Sequence, residues 1–288
     1  MDIKAVLMGL AFALIWSSAF TSARIIVTQA PPLTVSALRF LFAGVMAICI
    51  AWAMGQSWRL TKGQWRAVVI FGVCQNAIYL GLNFVAMQTV EASLAAIIAS
   101  TMPLLVGLIG WIVLKDRLPA LGIVGLVSGF IGVAIIMGAR LGGQMDPVGL
   151  GMCVVAALAL AVATLAMRGA SSGGNLMMVV GLQMLVGAAV LAVAAWIFEE
   201  MVIDWNLELG LAFAYTTIVP GIIATFIWFV LVARIGAVKA ATFHFLNPFF
   251  GVAIAAVLLG EALGIWDVIG VAVITAGILA VQLSKQKQ

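Results

Sequence analysis

The side chains able to do chemistry in this sequence are few, polar and set inside apolar stretches. His244 is the single histidine; Asn247 follows it by three residues and Pro248 by four. Histidine titrates near physiological pH, so His244 suits either a proton-sensing step or a plain hydrogen bond to a solute. Asn76, Tyr79 and Asn83 are spaced i, i+3, i+7, with Gln75 beside them. That spacing places them on one helical stripe, which lipid would reject and which must point inward. Trp16, Ser17 and Ser18 form a further polar group, as do Ser100 and Thr101 just before Pro103, and Tyr215, Thr216, Thr217, Thr225 and Trp228. Asn76 and Asn247 are neutral dipoles that can hold the carboxylate or ammonium of a zwitterion. Trp16, Tyr79, Trp228 and Phe243 can wall an aromatic or aliphatic side chain. The plainer alternative is helix–helix hydrogen bonding for the hydroxyls and core or interfacial packing for the aromatics. Arg39 lies within an apolar stretch at a depth like that of Arg24 and Glu91, and an intramembrane arginine needs a partner or water. Pairing with Glu91 and an outer-gate role are both open for it.

No catalytic constellation is present. The sequence has no HExxH, no GxSxG, no Gly-rich phosphate loop and no pair of acids within an apolar stretch. Cys49, Cys74 and Cys153 lie in apolar stretches without metal-ligand spacing and fit small core residues. No cofactor or metal is expected, and an enzyme is not.

The elements that position these residues follow from composition. Hydrophobic residues make up 65% of the chain and charged residues 8%, against about a quarter charged in soluble proteins. A helix needs roughly 20 apolar residues to cross the hydrocarbon. Such runs fall near 4–27, 33–54, 66–88, 92–114, 119–138, 147–168, 176–198, 209–232, 238–259 and 265–284. The connections are too short for a soluble domain. The fold class is therefore an all-α integral membrane protein of ten transmembrane helices. With the N-terminus inside, Lys4, Arg59, Lys62, Arg66, Lys115, Arg117, Arg168, Arg234, Lys239, Lys285 and Lys287 face the cytoplasm, and Arg24 and Arg140 do not. That asymmetry orients the chain with both termini cytoplasmic. The net charge of +4 then reflects topological anchoring and implies no nucleic acid. The expected partners are the bilayer and a small-molecule substrate, with a monomer sufficient. Lys4 and the apolar run ending in SSAFTSA imitate a signal peptide, but cleavage there would break the repeat described next.

The second half of the chain repeats the first. Adding 145 carries Ala95 to Ala240, Pro103 to Pro248, Asp116 to Glu261, Gly125 to Gly270 and Gly132 to Gly277; near 144, Arg24 meets Arg168 and Trp52 meets Trp196. Residues 1–139 form one unit of five spans and 147–288 the other, with 140–146 as linker. An odd number of spans per unit makes the copies run in opposite senses, a signature of carriers that alternate access about a site between the halves. Pro103 and Pro248 lie inside spans at equivalent positions and predict two facing kinks, candidates for gating together with Arg39 and Glu91. Glycines of the fifth and tenth spans predict close helix packing.

Several motifs resemble the EamA-type repeats of the drug/metabolite transporter superfamily. They are ALRF at 37–40, VEASLAA at 90–96 and LKDRL at 114–118 in the first half. In the second they are Pro220 with Ala224 and Trp228, IGAVKAATFHFLNPFFG, and VLLGEAL at 257–263. The resemblance covers nearly the whole chain and looks closest to the YddG-type amino-acid exporters. Lys115-Asp116 departs from the usual Gly-Glu, in a cytoplasmic turn of little weight for transport. The family implies ten helices and export of small metabolites across the bacterial inner membrane. The expected function is export of aromatic or bulky apolar amino acids by alternating access. The site expected from the polar residues comprises Trp16, Ser17, Asn76, Tyr79, Asn83, Ser100, Thr101, Trp228, Phe243, His244 and Asn247. The alternatives are proton-coupled export of cationic drugs and, from another class, a membrane-embedded enzyme acting on lipid-like substrates.

Overall fold

A computed structural model describes residues 3–113, 115, 119–140, 146–166, 173–235, 240 and 242–286. Asp116, Arg117, Arg168, Lys239 and most of the linker lie outside them. The described residues form ten helical spans: α1 (Ile3–Val27), α2 (Pro32–Ala53), α3 (Lys62–Ala86), α4 (Ala92–Ile112), α5 (Ala120–Arg140), α6 (Pro147–Ala166) and α7 (Leu176–Phe198). Next, α8 runs from Leu207–Ile218 through Val219–Ile223 into Ala224–Ile235, α9 from Thr242–Leu246 into Asn247–Leu259, and α10 is Ile265–Gln286. The protein is an all-α, ten-helix membrane protein. Helix α3 begins about a turn earlier than its apolar run because Thr61 caps it, accepting from the Gln64 N–H while the Gln64 side chain accepts from the Thr61 N–H.

Interruptions fall at matching places in the two halves. A π-helical stretch occupies Gly72–Tyr79 of α3 and another Val219–Ile223 of α8; adding 145 to the first gives 217–224, which contains the second. In α8 the cause is Pro220, which has no N–H to give to the preceding turn. Helix α4 breaks at Thr101 before Pro103, and α9 changes from 3₁₀ to α geometry at Leu246 before Pro248.

Packing has the same pattern. The most extensive interfaces are α2 on α7 and α5 on α10. Helix α1 lies against α8 and α9, while α6 lies against α3 and α4, as a twofold exchanging the halves requires. Glycine makes the closest approach possible: a Cβ at Gly125 would stand 2.7 Å from the Gly277 carbonyl oxygen, and one at Gly132 2.8 Å from that of Gly270. The offset of 145 exchanges these two contacts with each other. Large apolar side chains such as Trp196, Phe198, Val257 and Ile265 face outward, as a helix bundle in hydrocarbon allows.

Candidate functional site

Helices α1, α8 and α9 build an aromatic box with a polar floor. The Phe12 ring centroid stands 5.6 Å from Trp16, 4.8 Å from Trp228 and 5.3 Å from His244, the last edge-on at 84°. Trp228 and His244 are 5.1 Å apart. Phe243 lies against α1 where Gly9 has no side chain. Two hydroxyl contacts fasten α1 to α8: Ser18 with Tyr215 at 2.6 Å and Thr216 donating to Ser22 at 2.7 Å.

The floor comes from the broken start of α9. Asn247 Nδ2 lies 2.9 Å from His244 Nδ1. An amide NH₂ only donates, so the imidazole accepts at Nδ1 and carries its proton on Nε2. Ser17 donates to the Asn247 carbonyl at 3.3 Å. The amide oxygen Oδ1 of Asn247 is buried without a partner. A free neutral acceptor and an imidazole N–H donor therefore sit beside aromatic walls, an arrangement that can hold a small amphipathic solute by dipoles and ring faces.

Trp16, Ser17, Trp228, Phe243, His244 and Asn247 thus come together. The other expected residues form separate groups. Asn76, Tyr79 and Asn83 are buried, as their stripe predicts, but belong to the packing of α3 on its neighbours. Asn76 donates to the Gln183 carbonyl of α7 at 3.0 Å, and Asn83 to the Tyr79 carbonyl at 2.8 Å, leaving Asn83 Oδ1 unpartnered. Ser100 and Thr101 return to their own helix, donating to the carbonyls of Ala96 and Ile98 at 2.6 Å each, and satisfy the turn before Pro103.

Arg39, for which the sequence leaves pairing with Glu91 and an outer-gate role both open, lies among aromatic rings. Its Nε and Nη2 are buried with no hydrogen-bond partner, and its guanidinium stands 4.3 Å over the Phe40 ring and 5.1 Å from that of Phe84. The preceding arginine of α1, Arg24, donates through Nη1 to the Met87 carbonyl. Glu91 is the N-cap residue of α4 without a side-chain capping bond; the N–H groups of Ala92 and Ser93 go instead to Glu261, at 2.8 and 3.0 Å.

Two cavities of about 440 and 540 Å³ open at the end of the bundle where α2 begins and α7 ends, lined among others by Thr34, Leu38 and Trp205, and by Gln29, Val85 and Glu199. The aromatic box lines neither. Among the described residues no three His, Cys, Asp or Glu side chains gather as a metal site. Sequence inspection passed over Phe12, the ring common to the box, although it precedes Trp16 by one helical turn. It also passed over Gly9, and over the inter-half contacts of Glu199 and Glu261.

The EamA-like transporter family matches residues 3–138 and again 147–283. The uncharacterized transporter YvbV of Bacillus subtilis (strain 168) is 24% identical over 281 residues, covering 97% of this chain and 92% of its own. The uncharacterized inner membrane transporter YedA of Escherichia coli (strain K12) is 28% identical over 293 residues, covering 97% and 91%. A solved protein crystal structure shares the fold with a TM-score of 0.71 at 24% identity, over 100% of both chains.

Proposed function

The chain belongs to the EamA-like transporter family, and from that premise we propose a secondary carrier that exports aromatic or bulky apolar amino acids. That it is a multi-pass membrane transporter of small molecules, and no enzyme, is the family's own property. The finer statements that follow are our reading. Residues 1–139 and 147–288 act as inverted halves joined by 140–146, with both termini in the cytoplasm of a bacterium and the chain in its inner membrane. The halves rock about a site between them, and the paired interruptions before Pro103 and Pro248 supply the bending points.

The observation that carries the substrate class is the box of Phe12, Trp16 and Trp228 over His244 and Asn247. Ring faces accept an apolar side chain, the free Asn247 Oδ1 accepts from an ammonium group, and the imidazole N–H serves an oxygen. A site of neutral dipoles holds its solute weakly enough to let it go. Asn76, Tyr79, Asn83, Ser100 and Thr101 act at one remove, shaping α3 and α4.

The test is efflux from cells preloaded with labelled phenylalanine, tryptophan, leucine or methionine, against a cationic dye, with and without a protonophore. Amino-acid efflux that survives the protonophore and falls in His244→Ala and Asn247→Ala at unchanged membrane abundance supports the proposal. Movement of the dye alone, or efflux indifferent to both substitutions, refutes it. Loss with the protonophore would retain the substrate and add proton coupling.

A further inference from the structure

Arg39 is a buried cation that the preceding site does not use. It lies in the second turn of α2, 5% exposed, in a segment where hydrocarbon and apolar side chains surround the bundle. Its Cζ stands over the Phe40 and Phe84 rings, at 4.3 and 5.1 Å from their centroids. A ring face offers an N–H at most a weak contact and does not replace an oxygen acceptor. Nε and Nη2 are both buried without a hydrogen-bond partner, and an Nε hydrogen and an Nη2 hydrogen point the same way along one edge. That edge is the fork that receives both oxygens of a carboxylate.

The same end of the bundle carries further buried polar atoms without partners. Thr21 Oγ1, Ser36 Oγ, Asn83 Oδ1 and Ser93 Oγ are also buried and unpartnered. Thr21 and Asn83 stand near the ends of α1 and α3, and Ser36 and Ser93 near the starts of α2 and α4. All four therefore belong to the end of the bundle that holds Arg39. Buried polar atoms are nearly always paired, so several orphans gathered at one end point to a polar guest.

We infer that the Nε–Nη2 edge of Arg39 is a binding station for the carboxylate of the transported solute, distinct from the aromatic box. The inference rests on the carrier reading above and narrows its substrates to carboxylates, free amino acids among them. Phe84 and Phe40 hold the guanidinium carbon over their rings and supply no oxygen acceptor to that edge. Ser36, one turn before Arg39 on α2, and Asn83, next to Phe84 on α3, offer partners to the rest of the solute. The shared chemistry, an oxyanion presenting two oxygens, also occurs in lipid phosphates, so the test separates the two.

Purified protein in nanodiscs of neutral phosphatidylcholine is titrated with phenylalanine, leucine and benzoate, and with phenylalanine amide and leucine amide. The unsubstituted protein should bind the acids at least about tenfold more tightly than the amides, the scale of a charge-assisted bond. Arg39→Lys keeps the charge but not the fork, and should lose about tenfold toward the acids with amide affinity unchanged, which also reports that the variant is folded. Acid preference that survives Arg39→Lys and Arg39→Gln, equal loss for acids and amides, or no carboxylate bound at all, each overturns the inference. So does an Arg39-dependent stabilisation by phosphatidylglycerol without one by carboxylates. Arg39-dependent binding of benzoate alone would keep the station and sink the amino-acid substrate.

Discussion

Two glutamates of the second half cap helices of the first, and removing them should loosen the bundle by a calculable amount. Helix α2 starts at Pro31-Pro32 and α4 at Glu91, and neither start has a side-chain cap of its own. Glu199, at the end of α7, accepts from the N–H groups of Leu33 and Thr34 and from the Thr34 hydroxyl, each at 2.8 Å. Glu261, beyond α9, accepts from Ala92 and Ser93. The negative charges also face the positive ends of two helix dipoles. A hydrogen bond to a charged group contributes about 1.5–3 kcal/mol, and partial exposure of both carboxylates favours the lower figure. Sharing one carboxylate among several donors reduces the sum further. Glu261→Ala should therefore cost about 2 kcal/mol and Glu199→Ala about 3 kcal/mol, with Glu→Gln near half of each because one acceptor oxygen survives without the charge. The sites share no partner, so the double substitution should add to about 5 kcal/mol. Reversible unfolding in mixed micelles of increasing SDS measures these values, with the neighbouring exposed Glu200→Ala as control. Costs below about 0.5 kcal/mol at both positions, the usual range of surface substitutions, would refute the capping argument. So would an equal cost for Glu200→Ala.

Further outcomes follow from other contacts. Gly277→Ala would place a Cβ 2.6 Å from the Gly129 nitrogen and 2.7 Å from the Gly125 oxygen; both are backbone, so α5 and α10 must separate, at about 1–3 kcal/mol. The same unfolding assay checks it, and Gly138→Ala, with nothing within 4 Å, should cost nothing. Pro248→Ala permits a continuous α9 and should slow turnover more than it weakens substrate binding; equal effects in transport and binding assays would remove the bending point. The Thr89 hydroxyl donates to Asp146 at 2.6 Å, and that bond, with the Val148 N–H, holds the carboxyl below the usual range. A lowered folded value makes the tie present above the ordinary carboxylate range and lost as pH falls through the lowered value. Thr89→Val should thus reduce thermal stability at neutral pH and converge on the unsubstituted protein in acid; a pH-independent gap would refute this.

The helices were legible because hydrocarbon imposes a simple demand: apolar runs of sufficient length with their backbone bonds made internally. The repeat exposed both proline interruptions, and the glycines of the fifth and tenth spans read as packing surfaces without saying which helix meets which. The inward face of Asn76, Tyr79 and Asn83 was legible from spacing, but the neighbour it faces was not. Periodicity gives a direction on one helix and says nothing of which helix stands opposite. Phe12 escaped for a related reason, since one phenylalanine among 15 has no signature until α8 and α9 bring Trp228 and His244 to it. Nothing local in the sequence marks Glu199 and Glu261. Their capping roles depend on contacts 165 to 169 residues away, beyond any local pattern. Arg39 shows the limit most plainly: an intramembrane arginine demands a partner, and the nearest acid at its depth was a reasonable guess. Aromatic faces answered part of the demand and left the in-plane edge unanswered.

The frame repeats and the chemistry does not. Adding 145 relates the two π stretches, the two proline breaks and the two glycine crossings. Subtracting it from His244 and Asn247 gives Ala99 and Met102, and the position matching Arg39 at the offset of 144 is Gln183. A carrier that works by rocking two equivalent halves needs matched hinges, because each half must make the motion the other makes. A free amino acid, with an ammonium and a carboxylate on one carbon and an apolar side chain beside them, has no twofold axis, so the stations that recognise it need not repeat as the frame does. Histidine and asparagine on the α9 side and a free guanidinium edge on the α2 side are stations of that kind. If the solute proposed here were instead a uniform apolar molecule, nothing would oppose replacing Arg39 with the glutamine of its counterpart. Arg39→Gln would then transport as the unsubstituted protein does, whereas loss of efflux for amino acids but not for their amides is the outcome that the asymmetry requires.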